Sequence, residues 1–204
     1  MIKKQKILGA IIIGDVVDSR TLDQNSWLPL LEEAIQGYTN KYDIFRGDSF
    51  QLQVSLELLF ECVFYIKATL KTIGLDVRIG IGIGEIDQNK NTIKQSSGEA
   101  FILSGIAFDS LEKETFFIKT TQDELDITLN LMLQLSSEIA NRWTKDMAAS
   151  IAAALKNPTV NQKDLAKLLH KKYQSQISTK LTKAGFPKIK RVIQYATHEV
   201  LKKC

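Results

Sequence analysis

Ile11-Ile-Ile-Gly-Asp15-Val-Val-Asp18-Ser-Arg20 is the stretch on which the reading of this chain turns. Its apolar run is too short for a helix, and it ends by delivering Gly14, Asp15 and Asp18. A strand buried on both faces that releases carboxylates into a turn is a common way to build a site. Extended upstream, the run predicts a central strand over Lys6 to Val17. A second delivery follows in Phe45-Arg-Gly-Asp48-Ser-Phe-Gln51, where Gly47 and Asp48 form the turn between a strand over Tyr42 to Arg46 and an alternating run through Phe50, Leu52 and Val54. Two carboxylates, Asp15 and Asp48, on adjacent strands suit a hard divalent ion such as Mg, which takes one or two protein carboxylates plus the phosphates of its ligand. Asp18, three residues on, either joins them or faces water. The plainer reading is that Asp15 bonds the following turn and Asp48 is an ordinary hairpin aspartate.

Helices fill the intervals. Ser26 is placed to cap one through Trp27, Leu30, Leu31, Ala34, Ile35 and Tyr38, and Ser55 another through Leu59, Cys62, Val63, Ile66 and Leu70, with Gly74 as its stop. From Asp76 to Glu85 the chain reads D-V-R-I-G-I-G-I-G-E: Val77, Ile79, Ile81 and Ile83 point one way, while Arg78, Gly80, Gly82 and Gly84 bare the other face. Such a face admits either a ligand or a closely packed helix. No helix N-terminus follows directly, so this is not a dinucleotide fingerprint. A polar turn over 87–91, a helix opened by Ser96-Ser97-Gly98-Glu99 and a short strand over Phe116 to Lys119 come next. A helical pattern from Asp123 to Leu155 then either continues unbroken or breaks near Trp143. Past Pro158, short helices start at Asn161 and Ser175, and a last amphipathic one runs over Lys188 to Lys202.

Composition narrows the class. With 204 residues and 44% apolar content the chain can bury a core. No apolar run reaches the roughly 20 residues that span a bilayer, and no small-residue cleavage site follows Met1-Ile-Lys-Lys, so a cytoplasmic location is expected. Cys62 and Cys204 have neither metal-ligand nor disulfide-framework spacing, and His170 and His198 lie far in sequence from the acidic pair. Charge is divided unequally: residues 1–154 hold 15 Lys and Arg against 21 Asp and Glu, residues 155–204 hold 12 against 2. A basic segment beside an acidic body is what an appended nucleic-acid-binding module looks like, although a solvated lysine-rich surface gives the same count.

The order of motifs carries a resemblance. G-D-V-V after a strand, R-G-D-S-F in a hairpin, R-I-G-I-G-I-G in a strand and S-G-E-A-F opening a helix resemble the class III nucleotide cyclase and GGDEF-type catalytic domain. More closely, the chain resembles the SatD family of bacterial proteins, which adds a C-terminal DNA-binding-like segment. The resemblance implies an α+β fold, a ferredoxin-like antiparallel palm followed by a small all-α helix-turn-helix domain. The implied divisions are 1–120 for the palm, 121–155 for a long connecting helix and 156–204 for the basic domain. It further implies Mg held by Asp15, Asp48 and the backbone carbonyl of Val16. Asp18, Arg20, Arg46, Gly47, Arg78, Gly82 and Gly84 are the candidate phosphate or ligand contacts; each arginine is equally readable as a surface ion-pair partner. Related cyclases carry an asparagine and an arginine on the helix after the glycine strand. The nearest positions here are Ile102 and Ile106, and an arginine expected near Gly105 is missing too. Loss of an arginine aimed at transition-state charge removes a factor of about 10² or more in rate, so cyclisation is not expected.

At the basic end, Q-K-D-L-A-K-L-L, a turn, and S-Q-I-S-T-K-L-T-K-A resemble a helix-turn-helix. Ile177 and Leu181 would be inside, and Lys163, Gln174, Ser175, Gln176, Ser178, Thr179, Lys180 and Lys183 would face DNA. His170 stands where glycine is usual in the turn. The expected protein is a DNA-binding transcription regulator with a nucleotide- or phosphate-binding palm, and a homodimer, since one short helix reads few bases. Its rivals are a Mg-dependent nucleotide-processing enzyme and a catalytically inactive scaffold or dimerisation protein.

Overall fold

In a computed structural model, which describes residues 6–87 and 92–204, the run around Ile11 is a strand, β1 (Lys6–Val17), with neighbours on both sides. β3 (Ser49–Val54) pairs antiparallel to it from Ala10 opposite Val54 to Asp15 opposite Ser49. On its other side β4 (Asp76–Asp87) pairs antiparallel along its whole length. β2 (Tyr42–Phe45) flanks β3 and β5 (Phe116–Lys119) flanks β4, giving the order β2-β3-β1-β4-β5. With α1 (Gln24–Gln36) after β1 and α2 (Leu59–Lys71) after β3, the first four strands form the ferredoxin-like βαββαβ arrangement. The expected antiparallel sheet needs one correction. β5 runs parallel to β4, because α3 (Glu99–Asp109) crosses over between them and returns the chain in the same direction.

Side chains of alternate parity make the two faces of the sheet different. Ala10, Ile12, Phe50, Leu52, Val77, Ile79 and Ile81 are buried on the face covered by α1 and α2. The glycines of β4 face α3. A Cβ on Gly82 would stand 2.2 Å from the Ala100 carbonyl oxygen and from the Ser104 nitrogen. Of the two uses foreseen for the bare strand, helix packing is the one seen.

The starts of α1 and α2 differ from expectation by about one turn, and the last helix starts two residues early, at Phe186. α1 begins at Gln24 because the Asp23 carboxylate accepts from the Asn25 N–H at 3.2 Å, while the Ser26 hydroxyl donates back to the Asp23 carbonyl. α2 begins at Leu59, after a turn closed by the Leu58 N–H on the Ser55 carbonyl. Asp87, where the polar turn over 87–91 was expected to begin, is the last residue of β4, and the rest of that turn, 88–91, lies outside the described residues.

The helical pattern from Asp123 divides into α4 (Asp123–Asn141) and α5 (Lys145–Lys156). Trp143 turns inward at the break and its Nε1 donates to the Ala184 carbonyl at 2.8 Å, and Thr144 caps the new helix through the Met147 N–H. α6 (Gln162–Leu168), α7 (Gln174–Lys183) and α8 (Phe186–Lys203) complete the chain. α5 and α8 pack against the side of α2 away from the sheet, so ten of its thirteen residues are buried. One apolar cluster therefore runs from β1 through α2 to Ile177, Ile189 and Val200.

Lys67 lies within that cluster with no solvent exposure. Its ammonium meets Asp76 Oδ1 at 2.5 Å and Asn141 Oδ1 at 2.8 Å, and stands 5.4 Å from the centre of the Phe116 ring. Burial pulls its pKa down to about 8 against the attraction of Asp76. Burial alone would raise Asp76, but Lys67 and Lys71 outweigh it and hold that carboxyl below the usual range.

Gly82→Ala should cost about 2–3 kcal/mol, since the new methyl meets backbone atoms that cannot turn aside. Gly105→Ala, on the same helix–sheet unit but with nothing within 4 Å of its Cβ position, should add about 0.5–1 kcal/mol in urea unfolding. Asp76→Ala, which strands a wholly buried ammonium, should cost about 3–5 kcal/mol. Lys67→Met should cost much less, because Asp76 is partly exposed and keeps Lys71 at 2.8 Å. From about pH 8 up to the ordinary lysine value (~10.4) the unfolded chain holds the Lys67 proton that the folded chain sheds. Wild-type stability should therefore rise with pH relative to Lys67→Met over that interval.

Candidate metal and phosphate site

The register of β1 puts Asp15 on the face opposite the main core, across from Arg78 on β4 and Ser49 on β3. In the neighbouring hairpin, Arg46 and Gly47 both have left-handed φ values, 55° and 92°, and turn the chain so that Asp48 lands at the foot of β3. Glycine suits the second of these positions because it has no Cβ to clash there. The Val16 N–H donates to the Asp48 carbonyl at 3.1 Å, the Ser19 hydroxyl donates to Asp48 Oδ2 at 2.8 Å, and the Gln24 amide donates to the Gly47 carbonyl at 3.0 Å. These bonds hold the hairpin turn against the end of β1.

Asp15 is one of five described residues with a buried side-chain polar atom that has no hydrogen-bond partner; the other carboxylate among them, Asp126, pairs with Lys119. The Asp15 Oδ1 is buried and has no hydrogen-bond partner among the described residues. Burial raises its pKa, Arg78 opposes this, the Asp48 charge raises it further, and the residue's own backbone N–H lowers it a little. A buried acceptor without a donor costs free energy that an ordinary strand end does not incur. A hard cation, satisfied by oxygen, would remove that cost, and the donor set of two carboxylates fits Mg in kind. Among the described residues no group of three or more His, Cys, Asp or Glu side chains converges. A cation on Asp15 and Asp48 would thus depend on water or phosphate oxygens for its remaining ligands, which is the usual habit of Mg.

The other expected contacts divide. Arg78 is half-buried beside Asp15, its guanidinium carbon 5.7 Å from the centre of the Phe108 ring at the end of α3. Asp18, with left-handed φ of 58°, and Arg20 are exposed just past β1, and Arg46 is exposed on the hairpin. Gly82 and Gly84 lie under α3, where the backbone of Ala100 fills the space a ligand would need. Sequence reading missed Ser19, which orients Asp48. It also missed Gln51, which shares the Asp15 face with Ser49 by strand parity. That parity was available, because 49 and 51 alternate with the buried 50, 52 and 54.

On the basic end, α7 turns Ile177 and Leu181 inward as expected. Several of its outward residues are already engaged: Gln174 bonds Gln162, the Gln176 side chain accepts from the Tyr173 N–H, and Lys180 meets Asp146 at 2.6 Å. Ser178 is half-buried; Lys163, Ser175, Thr179 and Lys183 are exposed. Lys180 holds the Asp146 carboxyl below its ordinary pKa, so a carboxylate stands in the groove beside α7. His170 has a left-handed φ of 51° in the turn.

No protein-family model matches the chain, and no curated protein matches it. Two solved structures of a bacterial light-regulated adenylyl cyclase are similar to it, with TM-scores of 0.46 and 0.44 and 15% and 14% sequence identity. Each match covers 58% of this chain and 44% of the cyclase chain, so the likeness spans less than half of the cyclase's length.

Proposed function

We propose that this protein binds a phosphate-bearing ligand, a nucleotide in the first instance, together with a divalent cation on Asp15 and Asp48. The reading rests on one observation: a buried, unpartnered carboxylate oxygen at Asp15, beside a second carboxylate on the adjoining hairpin. A bound cation would supply charge neutralisation and a Lewis acid toward phosphate oxygen. The chain's own residues supply the rest. Ser19 fixes the Asp48 carboxylate, Arg78 offers its charge beside Asp15, and the exposed Arg20 and Arg46 draw an anion to the rim. Val16 adds a carbonyl in the reading by resemblance to SatD-type and cyclase palms.

Binding without cyclisation is the preferred form. Ile102 and Ile106 on α3 are 67% and 46% exposed and aliphatic, so the positions that carry asparagine and arginine in related cyclases offer nothing to developing phosphate charge. A Mg-dependent nucleotide-processing enzyme is the competing form. Regulation through DNA is a second reading, favoured by the charge division and by Ser175, Thr179 and Lys183 on the outer side of α7. It includes a cytoplasmic location and a dimer, for which the aliphatic outer sides of α3 and α4 are suited. On α4, Leu131 is 57% and Leu135 61% exposed.

Thermal unfolding with Mg or Mn and individual nucleotides tests the main reading. A nucleotide–cation pair at about 100 times its Kd should add about 2.7 kcal/mol to the wild type and nothing to Asp15→Asn or Asp48→Asn. The unliganded Asp15→Asn protein should be no less stable than wild type, because the amide removes a half-buried charge that burial and Asp48 disfavour. A cation response that survives in both variants, or is absent from the wild type, refutes the site. A cyclised or hydrolysed product that depends on both aspartates would favour the enzyme.

A further inference from the structure

Most of the positive charge that distinguishes the C-terminal segment lies off the helix read as facing DNA, which holds two of the twelve basic residues, Lys180 and Lys183. Of the twelve Lys and Arg in residues 155–204, five stand within ion-pair distance of a carboxylate. Among the described residues the other seven have no such partner, and four of them, Lys188, Lys190, Arg191 and Lys202, are on α8, against Lys183 alone on α7. In the first turn of α8 Lys188 has no acidic neighbour and the helix dipole disfavours it, whereas Lys202 lies in the last turn, where the dipole favours a cation.

Lys188, Arg191, Tyr195 and His198 recur every three or four residues, which sets them along one side of α8 over about 15 Å. With Met132 of α4 and Val192 they line an open groove of about 580 Å³, and no carboxylate lines it. Tyr195 is 48% exposed among the cations, and Met132 and Val192 give the groove an apolar lining. A cationic track interrupted by an accessible ring over apolar surface is the combination that binds unpaired strands, phosphates on the cations and a base on the ring. A duplex keeps its base faces stacked and could use only the charge.

We infer that the groove between α4 and α8 binds single-stranded nucleic acid, through Lys188 and Arg191 on phosphates and Tyr195 on a base. The site is separate from Asp15 and Asp48 and from α7, and it does not depend on either.

Fluorescence anisotropy of the full chain with a short labelled oligothymidylate and its RNA counterpart tests this. Binding should weaken with salt at a slope of about −1.4 to −2, from 0.7 per phosphate neutralised by two or three cations, and Lys188→Ala should reduce the slope by about 0.7. Tyr195→Ala should weaken strand binding about 5- to 100-fold, Tyr195→Phe should retain it, and the Lys188→Glu, Arg191→Glu double variant should abolish it. All these positions are exposed except for the half-exposed ring, and circular dichroism of each variant confirms its fold. Four results would overturn the inference: no strand binding; a duplex bound as tightly as the strand and indifferent to Tyr195→Ala; equal retention on anionic phosphatidylserine vesicles with the same variant losses; or losses confined to Thr179→Glu and Lys183→Glu on α7.

Discussion

The molecule depends on α2 being buried on both sides. One side lies on the sheet, and the other is covered by α5 and α8. A helix apolar nearly all round has no stable place at a surface. This is why the C-terminal helices share a core with the palm. Lys67 is the exception within that helix, and it fixes the geometry instead of loosening it. Its ammonium joins the foot of β4, at Asp76, to the end of α4, at Asn141. Breaking one side of such a pair is costly because the charge left behind has no water to turn to. Asn141 is also where α4 must stop, so one buried cation marks the place at which the chain changes direction toward its basic end.

That change of direction shows what could and could not be read from the residues in order. β1 and β4 were legible because strand period is local, and Gly74 and Asn161 marked helix boundaries by local chemistry. Two uses of the glycine face stayed open, because what lies over a bare strand is decided by residues 15–28 positions away, in α3. The division at Trp143 was foreseen only as one of two possibilities, since the carbonyl that draws its indole inward belongs to Ala184. Lys67 left a faint trace: it falls four residues after Val63 and three before Leu70, on the apolar stripe of α2, where a lysine has to find a carboxylate. The parallel edge strand left none. Its direction follows from the crossover of α3, and four residues of alternating burial read the same in either orientation.

Asp15 differs from Lys67 in what meets its charge. Burial disfavours the charge on both, but the lysine has an ion-pair partner and a hydrogen-bonding amide within the chain. Asp15 has a buried oxygen with no donor, a like charge nearby and an arginine that offsets only part of the effect. Structures retain such groups where an outside partner completes them. The surrounding bonds support that view. Ser19, Val16 and Gln24 each spend a hydrogen bond on the Gly47–Asp48 turn, none on Asp15. The hairpin is held in place while the carboxylate beside it is left incomplete.

The division of charge admits a similar weighing. Lys156 with Glu33 and Lys180 with Asp146 join the basic end to the acidic body, but the first is a pair of largely exposed groups and Asp146 too is mostly in water. Exposed pairs contribute about 0–1 kcal/mol each. Continuous apolar packing through α2 already unites the two parts, so electrostatic attraction between them is not what the asymmetry is for. Unpaired cations also repel one another on a short segment, while the dipole of α8 opposes Lys188 and favours Lys202. A distribution whose repulsion no carboxylate relieves, with a half-exposed tyrosine in its midst, suits an anion that arrives from outside.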